Sequence, residues 1–205
     1  MFERRSPLAA HLADGGRDGV DGGRRLRLGE IGGWHLVQVG ELRRSREKFR
    51  AAFEAACGCA PPGSARVVTR FDAHRLYRVA ADQTWIVTAD ARLPAALARA
   101  LAPDAGTSTV LTHARCRLAI DGDAATSLLG HLVPVDLRDR NFPVGAFAQT
   151  SVHHTPVLLE RVGARRYEMY VLRTFAASTW EWIIDSALPY GYDLQAGQFK
   201  QEPQE

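Results

Sequence analysis

The sequence predicts an α+β fold made of two pseudo-repeated two-layer halves, each laying helices on one face of an antiparallel sheet. Three observations carry that expectation. The order strand, helix, short strands, helix can be read twice along the chain. The helical segments place their apolar residues at helical spacing, so each offers one side to a core. With 205 residues and 46% hydrophobic content, the chain can bury one good core or two small ones.

The first pass opens with a strand at Trp34 to Val39. A helix is expected from Leu42 to Cys57, with Leu42, Phe49, Ala52, Phe53 and Ala56 inward. Strands follow at Arg66 to Arg70, Leu76 to Ala80 and Trp85 to Thr88. The pass closes with a helix from Pro94 to Leu101, Pro94 suiting a first helical turn. The second pass starts with a strand from Val110 to Ile120, turns at Asp121-Gly122, and continues as a helix from Asp123 to Leu132 that packs Leu128, Leu129 and Leu132. Strands at Ala146 to Val152, Val157 to Val162 and Tyr167 to Leu172 lead into a last helix carrying Phe175.

The boundary between halves is expected near Pro103 to Gly106. The resulting organisation is an amino-terminal arm with a flexible Gly/Arg-rich loop at 1–30, halves at 31–105 and 106–193, and a polar tail at 194–205. Residues 13 to 25 are rich in Gly, Asp and Arg and offer almost nothing to bury, so they read as a loop or arm. Gln195 to Glu205 is polar and is expected to be unstructured unless docked.

The last helix has two apolar sides. At roughly 100° per residue, Ala176, Trp180, Ile183, Ile184 and Ala187 share one face, while Phe175 and Trp182 stand nearly opposite. An aromatic on the polar side of an amphipathic helix must be covered, either by a loop of this chain or by another subunit. Phe175 and Trp182 are therefore candidate interface residues. Arg173 and Thr174, where this helix begins, are candidates for contact with an anion, although a cap and a salt bridge explain them equally well.

Charge and composition narrow the function classes. Net charge is +3, from 26 basic and 23 acidic residues, too balanced for a nucleic-acid-binding field. No apolar run approaches the about 18 residues of a membrane span, and no secretory leader pattern opens the sequence, so a cytoplasmic location is expected. Cys57, Cys59 and Cys116 form no disulfide framework. The Cys57-Gly-Cys59 spacing is too tight for the usual zinc knuckle, and the pair reads as free thiols near a helix end.

Sites for chemistry are scarce. His153 and His154 are adjacent, so in a regular strand they would face opposite ways and could not chelate one ion. His35, His113 and His131 read as structural histidines. No Gly-x-Ser-x-Gly, no phosphate-cradling loop and no dinucleotide fingerprint occurs. The basic run Arg43, Arg44, Arg46, Lys48 and Arg50 contains Arg43–Glu47 and Arg50–Glu54 spacings for ion pairs, which favours a solvated face over an anion-binding one. No catalytic, cofactor-binding or metal-ligating residue is assigned.

Residues 111–125 (Leu-Thr-His-Ala-Arg-Cys-Arg-Leu-Ala-Ile-Asp-Gly-Asp-Ala-Ala), 142–150 (Phe-Pro-Val-Gly-Ala-Phe-Ala-Gln-Thr), 156–159 (Pro-Val-Leu-Leu) and 173–182 (Arg-Thr-Phe-Ala-Ala-Ser-Thr-Trp-Glu-Trp) resemble the gamma subunit of heterotetrameric sarcosine oxidase. The resemblance covers residues 108 to 190, with Ser6 to Ala10 and Tyr77 to Thr88 as its support in the first hundred. It implies the two-part, aminomethyltransferase-like α+β fold of the folate-binding superfamily. It further implies a complex that oxidatively demethylates sarcosine to glycine, with hydrogen peroxide and methylene-tetrahydrofolate as products. FAD, FMN, NAD, tetrahydrofolate and zinc would be held by other subunits. The implied partners are the alpha, beta and delta subunits, with neither nucleic acid nor membrane.

One departure bears on chemistry. Aminomethyltransferases carry acidic residues just beyond the hairpin that follows the strand ending here near Thr150, whereas this chain reads Thr155-Pro-Val-Leu-Leu159. General acid or base work on folate needs an ionisable group within reach. The resemblance with this departure therefore implies a non-catalytic assembly subunit. The rival expectations are a freestanding folate-binding protein or aminomethyltransferase-like enzyme, or the equivalent subunit of a paralogous N-methyl amino acid dehydrogenase such as N-methylglutamate dehydrogenase.

Overall fold

The computed structural model describes residues 6–12, 15–101 and 104–195. In chain order the elements are β1 (Leu26–Glu30), β2 (His35–Glu41), α1 (Arg46–Cys57), β3 (Thr69–Phe71), β4 (His74–Ala80), β5 (Gln83–Thr88), α2 (Leu93–Ala100) and β6 (Gly106–Val110). They continue as β7 (Arg115–Asp121), α3 (Ala125–Leu132), β8 (Phe147–Val152), β9 (Thr155–Arg161), β10 (Arg166–Leu172), a 3-10 turn (Arg173–Phe175), α4 (Ala176–Ala187) and β11 (Tyr192–Gln195).

The chain divides into two compact units, one spanning 33–113 and the other made of 1–32 with 114–205. The 33–113 unit holds a five-stranded sheet in the order β3-β4-β5-β2-β6, antiparallel throughout. Its two helices close over Val37, Val39, Leu76 and Ile86, contributing Phe49, Phe53, Cys57, Leu93 and Leu97. Phe49, Phe53 and Cys57 recur every four residues, which puts them on one side of α1. The helix ends at Gly58, whose left-handed φ of 74° lets its N–H bond the Glu54 carbonyl. Leu42, expected inward, is instead exposed: Leu42 to Ser45 form a turn, with the Ser45 N–H on the Leu42 carbonyl, and α1 starts only at Arg46.

The second unit holds a six-stranded sheet in the order β11-β1-β7-β10-β9-β8. All its pairs are antiparallel except β1 with β11. Leu26, Leu28, Leu118, Ile120, Tyr167, Met169 and Leu159 line one face and meet Leu128, Leu129, Trp180 and Ile183 from α3 and α4. Both units thus have the predicted class, helices on one face of a sheet.

The boundaries differ from the expectation in three ways. The extended stretch 106–120 does not belong to the second half alone. Gly106–Val110 is an edge strand beside β2, and only Arg115 onward pairs with β10. Thr112 marks the crossover: its buried hydroxyl accepts the Leu36 N–H at 3.0 Å, while two residues on the Ala114 carbonyl accepts the Arg173 N–H at 2.9 Å. Apolar periodicity cannot separate two consecutive strands that join different sheets. Secondly, β1 lies inside what was expected to be an arm, and it is paired on both sides in the six-stranded sheet, with β11 and β7.

Thirdly, the described part of the Gly/Arg-rich loop is built into the unit. Arg17 forms an isolated bridge with Tyr192, Arg24 pairs with Asp18 and Asp193, and Leu8 is fully buried. Glycine is required where backbones meet: at Gly191 (φ 68°) an added Cβ would strike the Gly23 carbonyl, and at Gly122 (φ 124°) the Arg25 carbonyl. The expected polar tail begins as β11 up to Gln195, and 196–205 lie outside the described residues, as do residues 13–14 of the loop and Pro103.

Candidate functional site

The outer side of α4 is where the second unit departs from an ordinary amphipathic pattern. Ala176, Thr179, Trp180, Ile183 and Ala187 are buried. Phe175, in the 3-10 turn, is 45% exposed and Trp182 is 46% exposed. Two helical turns separate them, so both stand on one face. Between and beside them lie Ser178, Glu181 and Asp185, all exposed.

Trp182 is covered on one side by this chain. Strands β8 and β9 are joined by the two-residue turn His153-His154, flanked by the Val152–Thr155 pair. The His153 ring lies on the Trp182 indole at a centroid distance of 3.7 Å, tilted by 33°. His153 has φ 51°, a left-handed conformation uncommon for residues other than glycine, with Asn, Asp and His the usual exceptions. The sequence alternatives for Trp182 were therefore not exclusive: a turn of the chain takes one side and leaves nearly half of the residue open. His153 was missed as part of this site because its place beside Trp182 depends on how α4 packs on the sheet. The only local signal was a His-His pair between two strand-like runs.

Arg173 and Thr174 adjoin Phe175. The Arg173 side chain is half-buried and its N–H is already bonded to the Ala114 carbonyl, while Thr174 is exposed. Both belong to the 3-10 turn that Phe175 closes.

The other singled-out residues gather elsewhere. Cys57, Cys59 and Cys116 are free thiols; burial, with the nearby Cys59 adding to it, pushes Cys57 up to about 12. Such a thiol stays protonated and is a poor nucleophile near neutral pH. His113 and His131, expected as structural histidines, are exposed, whereas His74 has that role: it is buried with Nδ1 2.9 Å from the Thr88 hydroxyl. On the basic segment Arg50 pairs with Glu54 as expected. Arg43 precedes the helix, and Arg46 turns back to Glu41 at 2.7 Å. A cavity of about 300 Å³ lies beside this segment, lined by Arg46, Arg50, Arg78, Glu41, Asp82 and Phe49 among others. Its guanidiniums bond Glu41, Glu54 and the carbonyls of Gly63 and Ala81.

The face of the six-stranded sheet opposite its helices carries buried charge that sequence reading did not isolate. Arg117 Nε donates to Glu168 Oε2 at 2.9 Å, Arg166 Nη2 lies 3.6 Å from Glu168 Oε1, and the fully buried Glu160 stands directly across from Glu168. Thr155 to Leu159 remain without a carboxylate, with Val157 and Leu159 in the helix-side core. Among the described residues no group of three or more His, Cys, Asp or Glu is placed to hold a metal ion.

This architecture defines the class of protein. The glycine cleavage system aminomethyltransferase T of Bartonella henselae superposes with a TM-score of 0.56 at 16% identity, over 80% of this chain and 47% of that one, so the fold is aminomethyltransferase-like. Heterotetrameric sarcosine oxidase from Corynebacterium sp. U-96, solved with pyrrole 2-carboxylate, contains a chain that superposes with a TM-score of 0.80 at 26% identity, over 91% of this chain and 96% of that one. No family model matches the sequence. The sarcosine oxidase subunit gamma of Corynebacterium sp. (strain U-96) is 30% identical over 186 residues, covering 89% of both chains. The chain belongs to the family of sarcosine oxidase gamma subunits.

Proposed function

We propose that this chain is the non-catalytic assembly subunit of a sarcosine oxidase complex, and that a partner subunit covers the open side of Trp182 together with Phe175. The observation that supports the reading most is the pair of half-exposed aromatics on a helix whose opposite side is fully packed. Large apolar side chains ringed by polar residues suit the centre of an obligate interface. Family membership supplies the context, since the superposed Corynebacterium chain comes from a heterotetramer. By the family resemblance the partners are the alpha, beta and delta chains, and these hold the flavins, nicotinamide nucleotide, folate and zinc. Arg173 and Thr174, in the turn that Phe175 closes, would meet an acidic group of the partner.

Trp182→Asp in the full chain, co-expressed with its partner subunits, tests the reading. The isolated variant should keep the wild-type circular dichroism spectrum and melting transition, because Trp182 lies outside the core, yet fail to co-purify. Unimpaired assembly sinks the interface. Turnover of a methylated amine by the isolated chain, or tight one-to-one binding of tetrahydrofolate to it, would establish the freestanding rival instead.

A further inference from the structure

We infer that His153 is the positioning residue of this docking face, holding the Trp182 indole so that one ring side is spent on the imidazole and the other is presented outward. The inference rests on the docking reading above. Three observations converge on it. The ring centroids lie 3.7 Å apart, with the planes tilted by 33°. The backbone at His153 is left-handed, φ 51°, a conformation uncommon for residues other than glycine. The neighbouring His154 is exposed.

The equivalent hairpin of the other unit shows what the position normally needs. There Phe71 and His74 flank the two-residue turn Asp72-Ala73, and Asp72 takes φ 49°. Aspartate tolerates that conformation because its short polar side chain bonds locally, and it contributes no ring. At the β8–β9 turn the same backbone strain is kept while the side chain is a flat aromatic aimed at Trp182. Non-glycine residues in such conformations concentrate where the surroundings impose them, often at functional sites.

The benefit is pre-organisation. A half-exposed Trp free to change rotamer must be ordered when a partner closes over it, and one immobilised side chain weakens binding roughly 2- to 12-fold by that entropy alone. A stacked Trp has that ordering done beforehand. The other charged or titratable groups on the flanking elements are His154 in the turn, Glu181 and Asp185 on α4, Arg173 in the 3-10 turn, and Glu160 and Arg161 at the far end of β9; His154, Glu181 and Asp185 are exposed.

Trp34, Trp85 and Trp180 are buried, so external quenching by iodide isolates the emission of Trp182 in the full chain. His153→Asn keeps tolerance for the left-handed backbone and removes the ring; His153→Phe keeps a flat ring. We expect His153→Asn to raise the iodide accessibility of Trp182, leave the melting transition in place and weaken assembly with partner subunits roughly 2- to 12-fold, and His153→Phe to restore most of the affinity. If Trp182→Ala abolishes assembly while His153→Asn assembles at wild-type strength, the positioning role falls and the docking face stands. If Trp182→Ala assembles normally, the docking reading falls and takes this role with it. Unchanged iodide accessibility in His153→Asn also overturns the inference.

Discussion

Four strands occupy the same places in the two units: β3-β4-β5-β2 in one and β8-β9-β10-β7 in the other. Each run includes a two-residue hairpin with a left-handed first residue, and each sheet is backed by two helices that pack on one another. The units part company at the fifth place. Beside β2 lies β6, the next strand of the same pass; beside β7 lies β1 from the amino-terminal segment, with β11 pushed one place further out. Duplication of a strand order thus does not require duplication of connectivity. An edge beside β7 accepts whichever strand supplies the right apolar alternation, and Leu26 and Leu28 supply it.

The helices that close each pass differ in a way that bears on function. α2 buries Leu93 and Leu97 and exposes Arg92, Ala95, Ala98 and Arg99. α4 buries Trp180 and Ile183, while Trp182 on it and Phe175 in the 3-10 turn before it are exposed. Small and charged residues outside α2 are content in water, whereas the outward aromatics of α4 are suited to a covering surface. Both helices pack on their sheets, and of the two only α4 and the turn before it carry exposed large aromatics, the face proposed above for docking.

The largest test of this division is Trp180→Ala, which removes the biggest fully buried side chain and should lower unfolding stability by about 3–5 kcal/mol. In hydrogen exchange, protection should fall first in β7, β9 and β10, and an equal loss across the five-stranded sheet would break the distinction between units. Arg117→Ala removes the guanidinium bonded to Glu168 Oε2 in a buried site, leaving that carboxylate poorly compensated, and should remove about 3–5 kcal/mol in a urea titration. A cost below about 1 kcal/mol would mean that water reaches that face.

Gly191→Ala is expected to destabilise by about 1–3 kcal/mol, since the residue combines φ 68° with close contact to Gly23. Gly63→Ala in the first unit, where open space surrounds an added Cβ, provides the contrast and should be nearly silent. Cys57 offers a test by pH. Its folded value of about 12 is raised above the ordinary 9.0, so its contribution is fully present below pH about 9 and is lost as pH climbs toward 12. Cys57→Ala should flatten the alkaline fall in stability seen by urea titration; an identical slope in both proteins rules the coupling out. At the small end, Arg99→Ala should change stability by no more than about 0.5 kcal/mol and leave assembly intact, in contrast to Trp182→Asp.

Much of this was legible beforehand. The four helices and most strands announce themselves by local spacing, as Phe49, Phe53 and Cys57 do for α1. Phe175 and Trp182 could be placed opposite Trp180 by helical geometry alone. Less accessible were elements defined by a distant partner. β1 and β11 are short, and nothing in Leu26–Glu30 or Tyr192–Gln195 says that they pair with each other in parallel. The glycines of 15–23 look like a flexible composition, yet Gly16 (φ 122°) and Gly19 sit against the backbone of 189–193, where an added Cβ has no room.

The sequence by itself determined the class of each layer, the inward faces of the helices and the absence of familiar catalytic signatures, because these follow from periodicity and residue chemistry within about twenty neighbours. Tertiary structure alone decided which sheet each strand of 106–121 enters, which segment fills the place beside β7, and that the His153 ring lies on Trp182. Those outcomes depend on backbone hydrogen bonds and contacts between residues far apart in the chain, and local pattern carries no record of who the distant partner is.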